Sequence, residues 1–167
     1  LLWLKDEQPT TYKAVSKWLN MSDFGIYKLS GATITDYSLA SRMMTMNLQE
    51  KKWSDEILDK IEIDKSLFGE LVNSGTKVGV VTSEAAQQTG LPQGLTVCSG
   101  GHDHICASMG LGIINNGQVF DSMGTAEVIM ASITKPVLDK NIIELGIDQG
   151  CHVIPNRYYA ITGLPFS

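Results

Sequence analysis

An α/β fold is predicted from three observations. Short apolar strand-like runs, "KVGVVT" and "LTVCSGG", alternate with helix-like runs, "SEAAQQTG" and "ICASMGLGII". Glycines punctuate the joins between them. The residues are 43% hydrophobic and 19% charged, enough apolar material for a core and too little charge for disorder. The length of 167 residues is that of one ordinary domain. The final strands, "GQVFDSMGTAEVIMASI" and "CHVIPNRYYAITG", read as hairpins, so the sheet is predicted to be mixed, with flanking helices.

Taken in order, the first third reads as helical. Leu1, Leu4, Val15, Trp18 and Leu19 are roughly helix-spaced, and Pro9 with Thr10 starts a second helix. Ser22 to Leu29 reads as a further helix ended by Gly31. "ATITDYSLASRMMTMNL" is mixed, with a turn at Asp36. In "WSDEILDKIEI", Ser54 is the expected N-cap and Ile57, Leu58 and Ile61 share a face. "SEAAQQTG" has Ser83 as its expected cap and Gly90 as its stop. Two strands meet at Gly124, and the last hairpin turns at Pro155-Asn156. No internal repeat or low-complexity stretch is present.

Composition excludes several functions. Net charge is -5, with no basic run beyond Lys51-Lys52, which argues against nucleic acid as a partner. It does not exclude a small anion held by backbone amides. No apolar run reaches the length of a membrane span, and no signal peptide is visible. Cys98, Cys106 and Cys151 are odd in number and form no C-x-x-C pair, so a reducing, cytoplasmic setting is expected. The chain opens on Leu1-Leu2-Trp3-Leu4 and closes straight after a strand-like run, so it reads as cut from something longer and incomplete at both ends.

The stretch "SGGHDHICASMGLG" carries the most chemistry. Asp103 follows a strand and two glycines and opens a helix, the place where α/β sheets gather ligands. Gly100 and Gly101 allow a sharp turn and close approach to the backbone. The plain alternative is that His102 or Asp103 only caps the helix. A metal reading would use His102, Asp103, His104 and Cys106, but the ligand spacings of zinc sites are absent, so no metal ligand is assigned. Gly124-Thr125, between two strands, can present successive N–H groups and a hydroxyl to a phosphate; an ordinary β-turn is the alternative. No P-loop pattern occurs. Met43, Met44 and Met46 read as core filling. Trp3, Trp18 and Trp53 read as packing residues. Asp36 and Arg42 read as an ion pair or as residues that hold a loop.

Together, in this order along nearly the whole chain, these motifs resemble the FGGY carbohydrate kinase family. The helical stretch runs up to a T-D-x-x-x-A-S pattern at Thr35-Asp36. "VNSGTKVGVVTSEAAQQTGLPQGLTVCSGGHDHICASMGLG" resembles the approach to the family's catalytic aspartate, and "GQVFDSMGTAEVIM" its glycine-threonine phosphate turn. The resemblance implies a ribonuclease H-like, actin-like ATPase domain. It places residues 1–167 in the later part of the N-terminal, sugar-binding domain, without the C-terminal nucleotide-binding domain. Asp103 matches the catalytic base, Gly124 and Thr125 the turn that contacts ATP, and His104 and Val128 positions beside the substrate. His102 stands where relatives often carry glycine.

The resemblance further implies ATP-dependent phosphorylation of a sugar or polyol hydroxyl, with Mg²⁺. A sugar hydroxyl is a poor nucleophile until a positioned carboxylate takes its proton, a role typically worth about 10²–10⁴-fold in rate. In-line placement and charge neutralisation supply the rest. The chain alone is expected to be catalytically silent, because the family's Asp-x-Gly-Thr loop and adenosine site are not in it. An unpaired sheet edge invites a second copy, so a homo-oligomer is a further expectation. The alternative is a non-enzymatic ligand- or metal-binding module around His102 to Cys106.

Overall fold

A computed structural model of the chain describes residues 1–124 and 126–165. Helices α1 (Leu2–Glu7) and α2 (Pro9–Lys13) come first, with Pro9 at the start of α2, where its missing N–H costs nothing. The chain from 15 to 20 is not helical, contrary to the spacing of Val15, Trp18 and Leu19. Long-range bonds draw it away instead. Trp18 N donates to Leu67 O at 2.7 Å, and Lys17 Nζ to Ser66 O at 2.6 Å.

Helix α3 (Met21–Ser30) ends as expected at Gly31, which takes a left-handed φ of 76° and donates its N–H to Tyr27 O. Strand β1 (Ile34–Asp36) leads directly into α4 (Tyr37–Ala40), with Asp36 as N-cap. A small hairpin, β2 (Met46–Asn47) and β3 (Lys52–Trp53), precedes α5 (Asp55–Lys60). Ser54 caps α5 by accepting from Ile57 N at 3.3 Å. Next come β4 (Glu70–Val72), β5 (Lys77–Val80), α6 (Ser83–Thr89) and β6 (Thr96–Cys98). The cap of α6 is Thr82, which accepts from Ala85 N at 3.1 Å, and not Ser83. Helix α7 (Asp103–Gly110), β7 (Val119–Met123), β8 (Ala126–Ile133), α8 (Lys140–Glu144), β9 (Asp148–Cys151) and β10 (Tyr158–Pro165) complete the chain.

Pairing divides these strands. β7-β8-β10-β9 is a four-stranded antiparallel sheet, with Met123 opposite Glu127 across the β7–β8 turn. β1 and β4 pair in parallel, while β5–β6 and β2–β3 are antiparallel pairs. The mixed sheet expected from sequence is therefore present as separate patches. The β9–β10 hairpin turns at Asn156, whose φ of 61° suits an asparagine.

Three apolar clusters hold these layers. Ile26, Ile34, Val81, Ala85 and Val97 join α3 to the β1 and β5–β6 region. Ala40, Trp53, Leu58, Ile63 and Phe68 form the second, where Trp53 Nε1 donates to Gly69 O at 2.9 Å. The third seats α7 on the four-stranded sheet through Ile105, against Met130, Val153, Tyr159 and Ile161. Met43 and Met46 fill the second cluster as expected, but Met44 is 86% exposed. Trp53 packs as expected; Trp3 is 66% exposed. All three cysteines are free thiols. Among the described residues, no helix is long and apolar enough to cross a membrane.

Candidate active site

Asp103 is the first residue of α7, five residues beyond the end of β6. Its side chain is 87% exposed. The plain capping alternative fails for His102 and is met only locally by Asp103. His102 occupies the N-cap without a side-chain bond to the helix, and Asp103 accepts only from the adjacent His104 N, at 2.7 Å. The carboxylate is thus presented to solvent from a fixed backbone, with no structural task elsewhere in the described residues.

The backbone before it is tightly held. A Cβ at Gly101 would overlap Val153 Cγ1 and lie 3.2 Å from both Cys106 Sγ and Ser38 Oγ. Only glycine fits this approach between the strand end and the sheet. A Cβ at Gly100 would meet nothing within 4 Å.

The imidazoles of His102 and His104 stack at 5.7 Å beside the carboxylate. His102 Nδ1 lies 3.2 Å from Asp103 Oδ1, yet it is buried and makes no hydrogen bond. Burial lowers the His102 pKa, with Arg42 and His104 adding to the effect and Asp103 opposing it. His104 Nδ1 is 3.5 Å from the same oxygen. Donor atoms of His102, Asp103 and His104 all lie within 4.8 Å of one another, compact enough for a metal ion. The positive end of α7 and the Arg42 guanidinium beside His102 both oppose a cation there. Burial likewise raises the Cys106 thiol, which disfavours a thiolate ligand.

His104 and Val128, both placed beside the substrate by the family resemblance, do come together. With Arg42, His102, Asp148 and Thr162 they line a groove of about 420 Å³ between α7 and β8 and β10. Arg42 pairs with Asp148 at 3.0 Å and not with Asp36. A larger hollow of about 610 Å³ lies elsewhere, lined by Leu1, Trp18, Met43, Ile57 and Phe68. It holds no carboxylate or histidine, so it offers no acid–base chemistry.

Gly124 sits in the β7–β8 turn and donates its N–H to Ala126 O at 3.1 Å. Its φ is not left-handed, and an added Cβ would approach no atom closer than 3.9 Å. The fold itself does not require glycine at this position. Thr125 lies outside the described residues.

The sequence predicts Asp36 as a turn residue that pairs with Arg42 or holds a loop. It is in fact a buried hydrogen-bond centre, 2% exposed, that accepts from Ser38 N, Ser38 Oγ and Ser74 Oγ. The D-x-S spacing of a side-chain–backbone turn was the available signal.

A sequence model of the N-terminal domain of the FGGY family of carbohydrate kinases matches residues 1–110, a span that includes Asp103. The chain belongs to the FGGY family. It is 33% identical over 131 residues to a xylulose kinase of Lactococcus lactis, covering 78% of this chain and 26% of that protein. It is 35% identical over 130 residues to an L-fuculokinase of Escherichia coli, covering 78% and 27%. The crystal structure of a xylulose kinase from Rhodospirillum rubrum superposes with a TM-score of 0.87 at 24% identity, over 97% of this chain and 32% of that one. The FGGY chain described here thus spans about a quarter to a third of its relatives' lengths. Its fold is the actin-like ATPase fold of these kinases, as the sequence predicts.

Proposed function

We propose that this chain is the later part of the N-terminal domain of an FGGY kinase that transfers phosphate from ATP to a sugar or polyol hydroxyl, with Asp103 as general base. The observation that carries this reading is the Asp103 carboxylate. It is exposed at the start of α7, its one hydrogen bond comes from the adjacent His104 N–H, and His102 and His104 on either side of it line the groove. An ionised carboxylate so placed accepts the hydroxyl proton as the oxygen attacks phosphorus, which the substrate could not achieve alone at neutral pH.

His104 and Val128 are assigned to the sugar, since both face the groove. His104 offers a polar ring and Val128 an apolar wall, the combination that orients a polyhydroxy compound. Gly124 supports the phosphate assignment, because a glycine the fold does not demand leaves room for a ligand against the backbone. Thr125 is assigned to the same contact. When bound, Mg²⁺ neutralises phosphate charge. The groove's Asp148 is paired with Arg42, and on the family resemblance the metal's ligands and the adenosine pocket are assigned to other parts of the full-length protein.

The relatives named for xylulose and fuculose point to ketoses as the substrates to test first. The full-length protein, given ATP, Mg²⁺ and a panel of ketoses, aldonates and polyols, is expected to release ADP with at least one. The 167-residue chain alone is expected to release none above background. Absence of turnover by the full-length protein on the whole panel would count against the kinase reading, and turnover by the chain alone against this division of parts.

A further inference from the structure

We propose that Asp36 and Ser38 are positioning residues that set where Asp103 stands, a proposal that rests on the reading of Asp103 as the base. Asp36 ends β1 and is 2% exposed; Ser38 is fully buried. Three donors converge on the one oxygen Asp36 Oδ1: Ser38 N at 2.9 Å, Ser38 Oγ at 2.5 Å and Ser74 Oγ at 3.0 Å. The single hydroxyl proton of Ser38 is therefore spent on Asp36, which leaves its lone pairs free to accept. They accept the backbone N–H of His102 at 2.8 Å, across 64 residues of sequence.

His102 immediately precedes Asp103 and is the N-cap of α7. Its N–H has no helical partner, so the Ser38 hydroxyl satisfies a group the helix leaves open. The same oxygen also bounds Gly101, where a Cβ would come within 3.2 Å of it while overlapping Val153 on the other side. The peptide before the base is thus pinned by a hydrogen bond from one side and by packed atoms from the other. Asp36 is itself anchored, since β1 pairs with β4 through Asp36 opposite Val72, and Ser74 follows β4 by two residues. The parallel β1–β4 pair is the foundation from which the base is placed.

Loss of this link lets the start of α7 shift. A misplacement of about 1 Å costs on the order of 10²-fold in a reaction that needs aligned atoms. The effect belongs in kcat, because neither residue lines the groove.

The test uses the full-length kinase and the sugar it turns over. Asp103→Asn is run in parallel and circular dichroism fixes the folded fraction. Ser38→Ala is expected to lower kcat per folded molecule by about 10-fold or more, with both KM values within about twofold of the parent. Asp36→Asn keeps the accepting Oδ1 and is expected to retain at least a third of kcat, while Asp36→Ala falls with Ser38→Ala. If Ser38→Ala does not fold, Ser38→Cys, with a weaker acceptor, decides by the same measure. Parental kcat in whichever serine variant folds, or Asp36→Asn as low as Asp36→Ala, overturns the proposal. A near-parental rate for Asp103→Asn overturns instead the reading on which it rests.

Discussion

A methyl group added at Gly101 tests how tightly the start of α7 is held. In Gly101→Ala the new Cβ overlaps Val153 Cγ1 and presses within 3.2 Å of Cys106 Sγ and Ser38 Oγ. Val153 cannot retreat freely, since it is 7% exposed and packs in the cluster of Ile105, Met130 and Tyr159. Forcing one carbon into such a site costs about 1–3 kcal/mol. For a chain of this size each kcal/mol lowers Tm by about 2–4 °C, so a fall of roughly 2–12 °C is expected. Gly100→Ala, one residue earlier, meets nothing within 4 Å and should stay within about 0.5 kcal/mol of the parent. Thermal melts of the two variants side by side give the answer. Equal melting temperatures would refute the account of Gly101 as a required close approach.

Gly124→Ala should leave stability within about 0.5 kcal/mol, because no atom lies within 3.9 Å of the added carbon, yet raise KM for ATP in the full-length kinase; an unchanged KM would remove Gly124 from the phosphate contact. Leu58→Ala, at a side chain 2% exposed in the second cluster, should cost about 2–5 kcal/mol in a denaturant melt. Burial pushes the Tyr159 phenol up to about 12, against the effect of Arg42, and its hydroxyl has no hydrogen-bond partner among the described residues. The folded state then holds this proton after the unfolded chain has lost it near pH 10. Stability is full below pH 10 and falls by about 1.4 kcal/mol per pH unit between pH 10 and 12. Tyr159→Phe should be near neutral at pH 7 and should melt with a shallower dependence on pH across that window. A parent and variant with parallel profiles would show that the phenol is not held protonated.

Local signals in the sequence matched the structure where local physics decides. Gly31 and Gly90 end helices in left-handed conformations, and Ser54 caps α5 with its own side chain. The strand, glycines and helix around Asp103 were legible for the same reason, as were the hairpin turns at Gly124 and Asn156. What escaped was set by distant partners. Residues 15–20 carry helical spacing, but Trp18 and Lys17 bond to the 66–68 segment instead. β4 is three residues long and exists because it pairs in parallel with β1. Asp36 accepts from Ser74, and Ser38 accepts from the His102 amide, neither of which is near in sequence. His104 and Val128 meet in one groove only because Ile105 seats α7 on the four-stranded sheet. Ser83 and Thr82 are both acceptable caps, and which one accepts was decided by the neighbouring fold, where Thr82 N donates to Leu29 O.

The central claim is that the Asp103 carboxylate takes the substrate's proton. Its most direct test is kcat for Asp103→Asn in the full-length kinase, measured together with sugar affinity by calorimetry. The amide keeps the size and the acceptor for His104 N but takes up no proton at neutral pH. The account predicts a loss of about 10²–10⁴-fold in kcat with the sugar Kd within a few-fold of the parent. A kcat near that of the parent would contradict it.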